Sequence, residues 1–229
     1  MACRLAMQPT VIFDLDGTLV DSRPDIRAAL DRLMDARGQP PFTLEEVTRF
    51  IGDGVPMLLQ RAFAARGLPA DPTALPAFLA DYEAHAAVQT RPFPGIPQVL
   101  DRLEAAGWRM AVCTNKPERA ARLLLEALGL MERFAALGGG DSFPVRKPDP
   151  AHVLATLQAA GGDAARAVMV GDHHNDVASG TAAGLPAIFC GWGYGLPDMA
   201  GSAPTASRPD ELPELLDAAL AGVPFTSSR

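Results

Sequence analysis

Only three cysteines, Cys3, Cys113 and Cys190, occur in 229 residues, and no two lie at a short spacing. That excludes a disulfide frame or a zinc knuckle and suits inert thiols in a reducing compartment, so the chain is expected to be cytoplasmic. Basic charge is also scarce: 20 Lys and Arg stand against 27 Asp and Glu, a net charge of −7, with no basic stripe. Nucleic acid is therefore not an expected partner. Residues 1–9 hold one Arg and no apolar run of signal-peptide length, and Met7 offers an alternative start. The one long uncharged run, residues 177–197, is broken by five glycines and two prolines. It is expected to form a helix end, a strand and a loop rather than a membrane span. With 21 Gly and 21 Pro the chain falls short of low complexity, and no internal repeat is visible.

What is present is an apolar composition of 48 %, rich in alanine, on a chain sized for one core with an insertion. Thr10-Val-Ile-Phe-Asp14 reads as a buried strand ending in acids. Residues 24–37, 44–51, 56–66 and 73–87 then read as successive amphipathic helices with no strong strand among them. After Arg91-Pro-Phe-Pro-Gly95 the pattern alternates. Strands are expected at 109–114, 134–137 (weak), 167–171 and 187–190, and helices at 96–106, 118–128, 151–160, 176–183 and 210–221. Such alternation implies an α/β fold, a doubly wound parallel sheet covered on both faces. The helical block implies a small second domain. The expected boundaries are 1–21 and 92–229 for the core and 22–91 for the insertion, with hinges at 19–23 and 91–95.

In such a sheet, chemistry collects beyond the carboxyl ends of the strands. Four of these ends are polar: Asp14-Leu-Asp16-Gly-Thr18, Thr114-Asn-Lys116, Arg146-Lys147-Pro148-Asp149 and Gly171-Asp172-His-His-Asn-Asp176. Each is mundane alone; their joint occurrence in this order is specific. The set resembles the haloacid dehalogenase superfamily over nearly the whole chain. Asp14-Leu-Asp-Gly-Thr-Leu19 matches its first motif, Thr114 the second, Lys147-Pro148 the third and Gly171-Asp172-x-x-x-Asp176 the fourth. Residues 139–150, Val170-Gly-Asp-His-His-Asn-Asp176, Gly193-Tyr-Gly195, Thr114-Asn-Lys-Pro117 and Ile51-Gly-Asp-Gly54 look more narrowly like phosphoglycolate phosphatases.

The resemblance implies a Rossmann-like core, a helical cap, and magnesium-dependent hydrolysis of a small phosphorylated metabolite, with 2-phosphoglycolate leading. It implies Asp14 as nucleophile, Asp16 as general acid and base, and Lys147 as the neutralising charge. Thr114 and Asn115 would bind the phosphoryl group. Asp14, the Asp16 backbone carbonyl and Asp172 would hold Mg2+, with Asp176 behind them. Elementary chemistry agrees. A carboxylate approaching a phosphate dianion needs cations, and the leaving alkoxide needs a proton. Within the resemblance, an acid at position 16 implies a phosphatase or mutase rather than a dehalogenase or pump.

Other residues invite plainer readings. Asp149 is expected to cap the following helix, Thr18 to cap the turn after the first strand, Cys113 to be core, and His85 and His152 to be surface or helix-face residues. His173 and His174 are expected at the pocket mouth or tuning its pH response. Among the cap arginines 23, 27, 49, 61 and 66, Arg49 is the expected clamp for a substrate carboxylate, with Gly52, Asp53 and Gly54 as a specificity loop. The rivals are another phosphatase substrate (a sugar phosphate or pyrophosphate), a β-phosphoglucomutase-like enzyme, and a non-catalytic binding protein on this fold. No membrane partner is expected, and the chain is expected to be a monomer or homodimer.

Overall fold

The computed structural model describes residues 8–222; Cys3 and the expectation about the N-terminal segment lie outside them. The chain opens with β1 (Thr10–Phe13) and β2 (Val20–Asp21), then α1 (Arg23–Asp35), α2 (Leu44–Phe50), α3 (Val55–Ala65) and α4 (Ala74–Ala84). It returns through β3 (Arg91–Pro92) to α5 (Ile96–Ala105), β4 (Arg109–Cys113), α6 (Glu118–Ala127), β5 (Ala136–Gly138) and α7 (Pro150–Ala159). It closes with β6 (Ala167–Gly171), α8 (His174–Ala182), β7 (Ala187–Cys190), β8 (Thr205–Ala206) and α9 (Leu212–Ala221). Six strands form one parallel sheet in the order β5-β4-β1-β6-β7-β8.

β1 is buried along its whole length because the sheet is covered on both faces. Its alternation assigns each side chain to a layer. Val11 and Phe13 join the apolar layer of α5, α6 and α9, while Ile12 joins Val153, Leu157 and Met169 beneath α7 and α8. The order along the sheet reverses at β1, with β4 on one side and β6 on the other. The three strand ends that carry the acids and Thr114 are thus neighbours at the topological switch point.

Between β2 and β3, helices α1–α4 enclose a separate core that includes Leu30, Met34, Phe42, Phe63 and Phe78. Thr43 and Glu46 form a reciprocal capping box at the start of α2. The entry and exit of this block are not bare hinges but a two-stranded antiparallel ribbon, Val20 opposite Pro92 and Asp21 opposite Arg91. The buried Asp25 carboxylate reinforces it, accepting from Gln89 N at 2.9 Å, Thr90 N at 2.8 Å and Thr90 Oγ1 at 2.7 Å. Residues 177–197 divide into most of α8, β7 and a loop, and no helix of the described residues is long and apolar enough to cross a membrane.

β5 begins two residues later than its apolar pattern suggests. The stretch before it is a short 3-10 turn whose Phe134 packs into the core instead of pairing. β8 has two residues, too few to show a period.

Candidate active site

Immediately after β1 the chain makes a tight turn, with Leu15 O accepting from Leu19 N at 3.0 Å and Val20 N at 3.1 Å. Gly17 permits it: φ is +91°, and a Cβ there would lie 2.2 Å from Asp172 Oδ2. This close approach brings motifs one and four together. Thr18 Oγ1 donates to Asp172 Oδ1 at 2.9 Å across 154 residues, so the hydroxyl holds the acid rather than capping the turn. Tyr194 N donates to the other oxygen, Oδ2, at 2.7 Å.

Lys147 is the centre of the site. Its Nζ lies 2.9 Å from Asp14 Oδ1 and 2.6 Å from Asp176 Oδ1, and donates to Cys113 O at 2.6 Å. It is 3 % exposed. The adjacent carboxylates hold its ammonium protonated against burial, raising its pKa. The carboxylates pay the opposite way. Burial first, and then charge, raises Asp14 to about 6 despite Lys147. Burial and the nearby Asp14 and Asp176 raise Asp172 to about 8. Carboxylate oxygens of Asp14, Asp172 and Asp176 all lie within 4.8 Å of one another. Three buried acids with one lysine leave surplus negative charge, and the donors are all oxygen. The cluster therefore fits a hard divalent cation such as Mg2+.

That imbalance has a measurable consequence. The folded-state values of Asp14 and Asp172 lie above the ordinary 3.8, so the native state holds protons the unfolded chain has released. Their contribution to stability is lost as pH rises through about 6 and about 8. A bound cation would take over the protons' role. Adding Mg2+ to EDTA-treated protein is expected to raise the thermal midpoint more at about pH 8.5, above both values, than at about pH 5, below both. Scanning calorimetry checks this; an increment independent of pH would refute it.

Asp16, on the cavity side, accepts from Ser22 Oγ at 2.5 Å and from Lys116 Nζ at 3.0 and 3.1 Å. Thr114 is buried, and its Oγ1 accepts from Lys116 N at 3.2 Å. One cavity is lined by Asp14, Asp16, Thr114, Asn115 and Lys116 from the core and by Gly52, Gly54 and Tyr82 from the helical block.

Several expected roles are redistributed. The Asn115 side-chain amide donates to Gly52 O and Lys147 O, both at 3.0 Å, so it ties the helical block to the core. Asp53 pairs with Arg61 and accepts from Asn175 Nδ2 at 2.8 Å. It too is a fastening, and the glycines beside it face the cavity instead. Gly52 has φ +122°, and a Cβ there would meet the His173 ring at 2.6 Å. Arg49 is exposed and pairs with Glu45 one helical turn away. Its position on α2 turns it outward, and it does not line the cavity. His152 is fully buried, not on a helix surface; its Nδ1 accepts from Lys147 N at 3.2 Å. Burial and Lys147 lower it to about 4, so it is neutral.

His173 caps α8, accepting from Asn175 N, and the Asp176 carboxylate accepts in return from His173 N at 2.9 Å. Burial lowers His173 to about 4. With Asp53 and His174 it gathers at the seam of the two parts, apart from the buried acids. Asp149 caps α7 through Ala151 N at 2.9 Å, His85 is exposed on its helix end, and Cys113 is a buried thiol pushed up to about 11.

Lys116 and Tyr82 were missed as site residues. A sequence signal existed for Lys116: the chain holds only two lysines, 116 and 147, against eighteen arginines.

Comparison with known proteins agrees with this geometry. The family model for haloacid dehalogenase-like hydrolases matches residues 9–184. A phosphoglycolate phosphatase of Cereibacter sphaeroides is 44 % identical over 225 residues, covering 93 % of this chain and all of its own length. One from Agrobacterium fabrum is 45 % identical over 192 residues, covering 82 % of each chain. The crystal structure of a predicted phosphoglycolate phosphatase from Haemophilus somnus superposes with a TM-score of 0.82 at 26 % identity, over 92 % of this chain and 99 % of that one. The chain belongs to the haloacid dehalogenase-like hydrolases, as a phosphoric monoester hydrolase resembling the phosphoglycolate phosphatases.

Proposed function

We propose that the protein hydrolyses 2-phosphoglycolate to glycolate and phosphate, with Mg2+, through an aspartyl-phosphate on Asp14. The observation that carries the reading is the meeting of Asp14, Asp16 and Thr114 on one cavity, with Lys147 2.9 Å from Asp14. The names of the relatives supply the substrate.

An Asp14 oxygen attacks phosphorus in line, and the bond from phosphorus to the ester oxygen breaks. Asp16, as the acid, gives its proton to the leaving alkoxide; as the carboxylate it then takes a proton from the water that attacks the aspartyl-phosphate. Phosphate leaves and the Asp14 carboxylate is restored. Lys147 and the Thr114 hydroxyl stabilise charge on the transferring group. Asp14, Asp172 and the Asp16 carbonyl would hold Mg2+, which supplies positive charge for the phosphoryl oxygens. The helical block, fastened through Asn115 and Asn175, limits the water that reaches the cavity.

The test is phosphate release from 2-phosphoglycolate, ethyl phosphate, a hexose phosphate and pyrophosphate, with Mg2+ and with EDTA. A lead for 2-phosphoglycolate of about 100-fold in kcat/KM, roughly 2.7 kcal/mol of selectivity, is expected. Equal turnover of all four would overturn the substrate assignment and leave the phosphatase. Undiminished turnover in EDTA would overturn the metal dependence.

A further inference from the structure

The cap arginines do not supply a cation to the cavity. Arg49 pairs with Glu45, Arg61 with Asp53, Arg66 with Glu46 and Arg23 with Asp21, and none of these, nor Arg27, lines it. The walls from the helical block are mostly apolar, among them Ile26, Val55, Leu58, Phe78 and Leu79. A single cation among the lining residues, Lys116, comes from the core. It is 8 % exposed, and its Nζ sits against both Asp16 oxygens and 4.4 Å from the centre of the Tyr82 ring. The Asp16 carboxylate keeps it charged, raising its pKa against burial.

Tyr82 also lines the cavity. It is 2 % exposed, yet its hydroxyl makes no hydrogen bond. A buried polar group without a partner is costly, and tyrosines in cores ordinarily find one. A buried ammonium and a buried hydroxyl whose proton has no acceptor therefore stand together in an otherwise apolar pocket.

We infer that Lys116 Nζ and Tyr82 Oη form the subsite for the carboxylate of a short phosphorylated hydroxy acid, α4 of the helical block thereby completing a site built on the core. This rests on the proposed reading of 2-phosphoglycolate as substrate and deepens it. The spacing is the reason for a short acid. Asp16 must reach the leaving oxygen to protonate it. In glycolate one carbon separates that oxygen from the carboxylate. A cation in contact with Asp16 is thus placed for a carboxylate next to the scissile bond, and an anion further along a chain would overshoot into the apolar wall. Lysine serves here as a point charge with three donors, two of which already face Asp16. The substrate carboxylate faces the Lys116 ammonium and accepts the Tyr82 hydroxyl proton. An ester without the carboxylate leaves both unpaired, which a site of this kind rejects strongly.

The test compares kcat and KM for 2-phosphoglycolate, 3-phosphopropionate and ethyl phosphate in the wild type, Tyr82→Phe and Lys116→Met. In the wild type, 2-phosphoglycolate should lead both others. Its lead over ethyl phosphate should shrink about tenfold in Tyr82→Phe and about 100-fold in Lys116→Met. Because Lys116 also touches Asp16, Lys116→Met should slow ethyl phosphate as well; the ratio isolates the carboxylate. Tyr82→Phe removes only an oxygen and keeps the ring packed, so it carries the test if Lys116→Met does not fold. A wild-type lead left undiminished by Tyr82→Phe overturns the subsite and spares the substrate reading. A wild type without any lead overturns the substrate reading, and the subsite with it.

Discussion

Asp14→Asn is expected to cut phosphate release by at least ~10⁴-fold while leaving a protein that folds at least as well as the wild type. The loss follows from removing the attacking oxygen, a group whose loss the remaining residues do not replace. The retained stability follows from the electrostatics. Asp14 is buried among acids, and its carboxyl is raised to about 6 despite Lys147. The charge is thus held at a cost that the neutral amide avoids, and Lys147 keeps Asp176 at 2.6 Å. Steady-state rates and denaturant unfolding, run on one preparation, check both halves. An active Asp14→Asn enzyme would end the covalent mechanism.

Lys147→Met should be the opposite kind of variant, inactive and also destabilised, by about 3–5 kcal/mol at neutral pH. Among the described residues its ammonium is the one cation within contact of Asp14 and Asp176, both buried, and it also donates to Cys113 O. Truncation leaves those oxygens without their partner in a dry site. Lowering the pH protonates Asp14 and Asp172, so the deficit should narrow on acidification. Adding Asp176→Asn to Lys147→Met should recover part of the loss, since it removes a stranded charge. Unfolding curves at about pH 5 and about pH 9, below and above both acids' values, for both variants, are the measurement. A deficit below ~1 kcal/mol would mean that the buried acids are neutralised by something other than Lys147.

Both predictions concern residues whose importance was visible as pattern. The acids fall where short apolar runs end, and a buried parallel strand announces itself locally. β1, β4, β6 and β7 were therefore readable to within a residue, as were α5, α6 and α7. The Asp149 cap is likewise a local event, decided by a side chain and a backbone N–H two residues on. The breakers in residues 177–197 were legible too: the run divides into most of α8, β7 and a loop.

Roles decided by distant contacts were not readable in this way. Arg49 looked available because sequence does not say which way a residue on a seven-residue helix faces; packing turned it to Glu45 and solvent. His152 looked like a surface histidine until α7 laid it against Lys147. Asn115 and Asp53 looked like substrate contacts. The geometry instead uses them to fasten the helical block to the core, across 63 and 122 residues of sequence. Tyr82 and Lys116 meet over the cavity only because α4 packs against α6 beside the end of β4.

The amino-acid sequence by itself determined the order of strands and helices, the acids at the strand ends and the family, because these depend on local periodicity and fixed spacing. Only the tertiary structure decided which cations neutralise which carboxylates and which groups of the helical block face the cavity. Those pairings are settled by close packing between segments far apart in the chain, where a turn of one helix exchanges a partner for solvent.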